Sequence, residues 1–344
     1  MSILDSILEF LHYHPASPRR LIEESITAKA SSATIKRALA SAIADGYVEK
    51  RGVGKASVYS ITPKAHLLRT VDLDSYYALD FDKRQVQTGF NFGLIRETLP
   101  AIDIFTEDEK NRLGKCHAAF SEHMADLSTT GYNKEMERLG IDLSWKSSEI
   151  EGNTYTLLET VNLLKDKIEA KGKKREEAIM LLNHKEALKA IVERPYFFKT
   201  LSLARIEDIH SILIEELGVE RNLRHRRVGI SGTLYRPLEV ETQIREAIDD
   251  MCALVNGKEN PYEKALLALL LIAYIQPFMD GNKRTSRLVS NALLIAHGYC
   301  PLSFRSVEAS DYRAALLLFY EQNNLAAFKR IFIEQAEFAV NEYF

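Results

Sequence analysis

At 344 residues the chain has room for two or three domains. Its 46% hydrophobic and 27% charged content excludes a disordered or low-complexity protein, and a net charge of −3 excludes a strongly basic or acidic whole. Cys116, Cys252 and Cys300 are too far apart for a CxxC metal or redox pair, and so few cysteines point to a reducing, cytoplasmic setting.

Residues 1–12 lack a basic start followed by a small-residue cleavage site, so no secretory leader is expected. In "ILDSILEFLHYH", Ile3, Ile7 and Leu11 share one helical face, with Pro15 expected to close that helix and Pro18 to open a second through "RRLIEES". Ser31 or Ser32 caps a third, whose stripe is Ile35, Leu39 and Ile43 and whose stop is Gly46. Two strands around the "GVG" turn come next.

Three short helices and a hairpin resemble a winged helix-turn-helix domain over residues 1–66. Lys36 and Arg37 lie off the apolar stripe of the third helix, and Lys50, Arg51 and Lys55 flank the wing. This segment has nine Lys and Arg against six Asp and Glu, a net +3, leaving −6 for the rest. Such a split suits duplex DNA, where phosphate contacts supply most non-specific affinity, with Lys36 and Arg37 as candidate contacts. The same module also serves as a protein-docking or homodimer surface.

Residues 67–106 read as a connector, with an acidic first half and an apolar second half able to pack on the helical region beyond it. From 107 to 344 the pattern is helical almost throughout. The run "ALLALLLIAYI", 265–275, is too short to cross a bilayer and reads as a buried core helix, so no membrane partner is expected. "RHRRVGISGTLYRP", 224–237, breaks the rhythm. Val228, Gly229, Ile230, Ser231 and Gly232, with Leu234 and Pro237 after them, predict a short β-hairpin.

The chemistry concentrates in "IQPFMDGNKRTSR", 275–287. Pro277 cannot continue the preceding helix, while Gly281 and Asn282 tolerate left-handed angles just before a new helix. A turn of this kind aims backbone N–H groups at one point and suits an anion such as phosphate. Arg284 and Arg287, three apart, share a helix face and can clamp phosphate oxygens, and Asp280 offers a hard oxygen ligand to Mg²⁺.

At these residues the chain resembles the Fic family. That family's signature reads His-Pro-Phe-x-(Asp/Glu)-Gly-Asn-Gly-Arg-x-x-Arg. Pro277, Phe278, Asp280, Gly281, Asn282, Arg284 and Arg287 match it, while Gln276 replaces the histidine and Lys283 the second glycine. "SSEIEGN", 147–153, resembles the family's inhibitory motif through Ser147, Glu151 and Gly152.

The resemblance implies a mainly α Fic/Fido helical domain with a short β-hairpin flap, preceded by the small winged-helix domain, and an inhibitory helix at about 133–151. It also implies transfer of AMP from ATP, with Mg²⁺ on Asp280, to a Ser, Thr or Tyr hydroxyl of an unidentified protein target held by the flap at 228–232. Gly281, Asn282, Lys283, Arg284 and Arg287 would bind the nucleotide, and Glu151 would pair with Arg287 and obstruct it. Gln276 falls where the family's proton acceptor stands. A carboxamide has no basic site near neutral pH, so the expected activity is impaired. Two alternatives stay open: a nucleotide-sensing, DNA-binding regulator, and a slow phosphotransferase of the Doc branch, which the Asn-Lys-Arg run resembles. His184, His210 and His297 are expected to be structural.

Overall fold

A computed structural model describes residues 2–26 and 30–344, the Lys55 side chain lying outside the described residues. The chain divides into two compact units, one of residues 1–87, 232–234 and 317–327, the other of 88–231, 235–316 and 328–344.

In the first unit, α1 (Ile3–Tyr13) opens with a reciprocal cap between Ser2 and Asp5. After it come β1 (Ser17–Pro18), α2 (Arg19–Ile26), α3 (Ser32–Ala44), β2 (Val48–Arg51) and β3 (Val58–Ile61). The strands form an antiparallel sheet in the order β1-β3-β2, with Arg51 opposite Val58 and Ser17 opposite Tyr59. Pro18 therefore ends an edge strand instead of opening a helix, a position where its missing N–H is tolerated.

The core of this unit joins Ile7, Leu11, Ile22, Ile35, Leu39 and Val48. Ala42, not Ile43, completes the buried stripe of α3. Gly46 ends the helix at φ +73°, and Lys36 and Arg37 are exposed. Two short helices, α4 (Pro63–Leu68) and α5 (Leu73–Tyr77), lead to Arg84, whose guanidinium meets the buried Glu321 carboxylate at 3.2 Å and the Gly232 carbonyl at 3.0 Å. Tyr76 Oη also donates to Glu321, at 2.6 Å.

The second unit is helical. A π-turn at Leu94–Thr98 runs into the short α6 (Leu99–Ala101). Then come α7 (Glu107–Asp126), α8 (Thr129–Ile150), α9 (Leu157–Asp166), α10 (Arg175–Glu193), α11 (Leu203–Leu213), α12 (Glu241–Gly257), α13 (Pro261–Ile275) and α14 (Asn282–Ala296). α15 (Ala309–Gln322) and α16 (Ala326–Tyr343) are divided between the two units.

Thr106 with Glu109, and Thr156 with Glu159, cap α7 and α9 reciprocally. α13 is buried on every side from Tyr262 to Ile275, as its unbroken apolar run requires. No described helix is long and apolar enough to cross a membrane.

The segment between α11 and α12 corrects the expected hairpin. The chain does reverse at Ser231–Gly232, where Gly232 has φ +84°, but no described residue from 219 to 240 forms a paired strand. Groups that a ladder would use are engaged elsewhere. The Arg236 N–H donates to the Thr88 carbonyl at 2.9 Å, and the carbonyls of Arg226 and Leu238 accept from the Arg224 guanidinium.

Candidate functional site

The site grows from the junction of α13 and α14. Gln276 ends α13 in the left-handed region, φ 52°, its N–H still donating to Ile272 O at 3.0 Å. Pro277 prevents further winding, and Gly281 starts α14 at φ +77°. A side chain at Gly281 would suffer twice: its φ is left-handed, and a Cβ there would stand 3.4 Å from the His210 ring.

Asn282 holds the turn together. Its Oδ1 accepts from Phe278 N–H at 2.8 Å, and its Nδ2 donates to Phe278 O at 2.8 Å and to Gln276 Oε1 at 3.0 Å. Gln276 Nε2 in turn donates to Ala273 O at 2.6 Å. Both ends of the Gln276 carboxamide are thus used within the loop, and neither is a base.

The cations stand on the first turns of α14. Arg284 is 2% exposed; its Nη2 meets Asp280 Oδ2 at 3.1 Å, while its Nη1 is buried with no hydrogen-bond partner among the described residues. Burial opposes its charge and Asp280 supports it. Arg287 is fully buried. Its Nε donates to Ser147 Oγ and its Nη2 to Ser147 O, each at 2.8 Å, and its guanidinium lies over the Tyr312 ring at 5.4 Å.

Glu151, which caps the C-terminus of α8, completes the group. Its Oε1 lies 2.9 Å from Arg287 Nη2 and its Oε2 3.2 Å from Lys283 Nζ. Burial alone would raise this carboxyl's pKa, but Arg287 and then Lys283 outweigh it and hold it below the usual carboxylate range. Gly152 comes next at φ +96°, which turns the chain away after the carboxylate has been presented.

The structure thus brings Ser147, Glu151, Lys283, Arg284, Arg287 and Asp280 into one connected network. The Asp280 side chain is 65% exposed. Among the described residues no group of three or more His, Cys, Asp or Glu could hold a metal ion. One open carboxylate nonetheless fits Mg²⁺, which takes few protein ligands when substrate phosphates and water supply the rest.

Two histidines matter more than their sequence context suggested. His210 stacks on Phe278 with ring centroids 3.7 Å apart, and its Nδ1 lies 3.2 Å from Thr285 Oγ1, so it supports the underside of the loop. Burial lowers its pKa to about 4, leaving it neutral at pH 7. His184, fully buried with Nδ1 3.3 Å from Ser144 Oγ, is pushed down to about 3 by burial and then by Arg287 and Arg284.

Arg224 is fully buried with no ion-pair partner among the described residues. Its Nε donates to Gln276 O at 2.6 Å, its Nη1 to Arg226 O at 2.9 Å, and its Nη2 to Leu238 O. Its backbone N–H donates to Pro277 O at 3.0 Å. One side chain therefore ties both limbs of the segment expected as a flap to the phosphate-type loop. The only sequence signal was an arginine beside a chain reversal.

Residues 200–294 match the model of the Fic/DOC family. A protein adenylyltransferase Fic from Nematostella vectensis is 33% identical over 174 residues, 49% of this chain and 40% of the relative. The corresponding protein of Drosophila willistoni is 27% identical over 202 residues, 58% of this chain and again 40% of the relative. The chain thus spans about two fifths of the length of these curated relatives. Among solved structures, Fic-1 (aa134 - 508) from C. elegans superposes with a TM-score of 0.58 at 20% identity, covering 69% of this chain and 71% of the other. A Fic domain containing signaling protein from Bacteroides thetaiotaomicron gives 0.55 at 18% identity, over 67% and 96%. At these identities the likeness establishes the fold.

Proposed function

From a chain that carries a Fic/DOC family domain over residues 200–294, we propose a nucleotide-binding protein of the adenylyltransferase type, held shut by Glu151 and weak in transfer. One observation carries the reading. Two buried arginines stand on one face of α14, one with an unpartnered nitrogen, the other already gripping an anionic side chain of the same chain. A site that stabilises a carboxylate this way is suited to phosphate oxygens once the carboxylate moves out.

In this reading the Gly281 turn and the α14 N-terminus receive phosphate oxygens, Arg284 holds the polyphosphate, and Arg287 exchanges Glu151 for the terminal phosphate. Mg²⁺, when bound at Asp280, supplies charge neutralisation between phosphates. The segment at 228–232, fixed by Arg224, presents the target hydroxyl.

Transfer joins that hydroxyl oxygen to the α-phosphorus and expels pyrophosphate, and the hydroxyl proton must leave. Gln276 cannot take it, and its amide is fully engaged within the loop. His210 is neutral but lies beneath the loop, stacked on Phe278. The protein works in the same reading as a cytoplasmic one.

Calorimetry with ATP and Mg²⁺ on the intact chain and on Glu151→Gly tests this. The variant is expected to bind at least about tenfold more tightly, the scale of a lost charge-assisted contact. Absence of binding by both would overturn the reading. Label on the α- or the γ-phosphate separates AMP transfer from phosphoryl transfer.

A second reading concerns the first unit. Lys36 and Arg37 are exposed beside each other on α3, in a helix–helix–helix–hairpin order that fits a winged helix. We propose that this unit contacts duplex DNA, which would make the nucleotide site a regulatory input.

A further inference from the structure

Lys283 stands where the Fic pattern has glycine, and neither the turn nor the arginine clamp requires a cation there. Its ammonium holds the second oxygen of the carboxylate whose first oxygen is held by Arg287, at 3.2 Å and 2.9 Å respectively. Residues 283 and 287 are four apart on α14 and share a face, so a single anion is bridged by two cations of one helical turn. The Lys283 side chain is 28% exposed, whereas Arg287 is fully enclosed and anchored on Ser147. Were Glu151 withdrawn, Arg287 would keep its two bonds to Ser147. Lys283 would lose its carboxylate partner, at the positive end of a helix and beside the Gly281 turn.

We propose that Lys283 is a polyphosphate ligand held in reserve by Glu151. It helps fasten the closed site and binds phosphate oxygens in the open one. This rests on the nucleotide reading above and adds the identity of a residue that serves both states.

Lys283 then acts on ATP affinity with opposite signs in the two states. In the intact chain, Lys283→Met removes one of two restraints on Glu151 without removing Arg287. ATP binding is expected to tighten by roughly two- to fivefold, the scale of a partly exposed ion pair. In the Glu151→Gly background the same change removes a phosphate contact, and binding is expected to weaken by about fivefold or more. A lysine that only clamps would have no effect once Glu151 is gone. A lysine that only binds phosphate would weaken binding in both backgrounds.

The experiment is calorimetry with ATP and Mg²⁺ on the intact chain, Lys283→Met, Glu151→Gly and the double variant. AMP serves as a second probe, and Lys283→Gln stands in if the methionine variant does not fold. Opposite signs for ATP in the two backgrounds, and little effect with AMP, are expected. If Glu151→Gly binds ATP but the lysine change acts in the same direction in both backgrounds, or in neither, the proposal is overturned while the nucleotide reading stands. If no form binds ATP, both fall.

Discussion

Asn282 Nδ2 donates to Gln276 Oε1 at 3.0 Å while Gln276 Nε2 donates to Ala273 O at 2.6 Å, so the glutamine is a structural member of the loop that in related sequences carries a histidine. Exchanging it for histidine restores a proton acceptor but removes one of these two bonds. Gln276→His is therefore expected to raise α-labelled transfer from ATP by about 10²- to 10⁴-fold in the Glu151→Gly background, the usual contribution of a general base. A small loss of stability, about 1 kcal/mol, should accompany it. Labelling by the double variant no faster than by Glu151→Gly alone would remove the base argument.

Glu151 also predicts a pH dependence. Arg287 and Lys283 hold its carboxyl below the usual range. Its contribution to stability is thus complete above the unfolded value near about 4.3 and is lost as pH falls through the lower, folded value. The difference in urea midpoint between the intact chain and Glu151→Gln should be constant from about pH 7 to about pH 5 and close below about pH 4. At neutral pH the difference should reach about 3 kcal/mol, because the variant leaves the enclosed Arg287 without its counter-charge. A difference that persists unchanged in strong acid would contradict the pairing.

Arg224 predicts a local effect. Arg224→Met leaves the carbonyls of Gln276, Arg226 and Leu238 without their donor, at about 1–3 kcal/mol for each that water cannot reach. Loss of a buried, unpaired charge offsets part of this. The net expectation is destabilisation of about 2 kcal/mol or more, with trypsin cutting faster after Arg226 and Arg227. Mass spectrometry of an early digest checks it, and unchanged cleavage at those bonds would show that the segment is held by other contacts.

For the first unit, reversing Lys36 and Arg37 to glutamate should weaken duplex binding and lower the slope of log K against log salt by about 2, one per lost phosphate contact. A titration by fluorescence anisotropy at several salt concentrations measures the slope. An unchanged slope would assign the unit to another partner.

Much of this site was legible in the residues because its parts are local. The loop needs Pro277, Gly281 and Asn282 close together, and the arginines need helical spacing. Glu151 was legible only through the short motif around it, because its partners lie 132 and 136 residues away in sequence. Arg224 and His210 could not be found by spacing. Their roles come from three-dimensional contacts with carbonyls and a ring, and such partners leave no pattern in the chain. The hairpin was misread for a related reason: alternation and a glycine turn announce a reversal but do not say which donors and acceptors a neighbouring guanidinium has already taken. Pro18 reads as a helix start by its ring alone, although an edge strand accommodates that ring equally well.

Arg224 has a consequence for anyone recombining such proteins. The stretch facing the acceptor and the stretch facing the nucleotide are not separable cassettes, since one positively charged rivet passes through 226, 238 and 276 together. A transplanted 225–237 loop would keep its aim only if the arginine travelled with it and the receiving scaffold offered a carbonyl at the end of its own apolar helix.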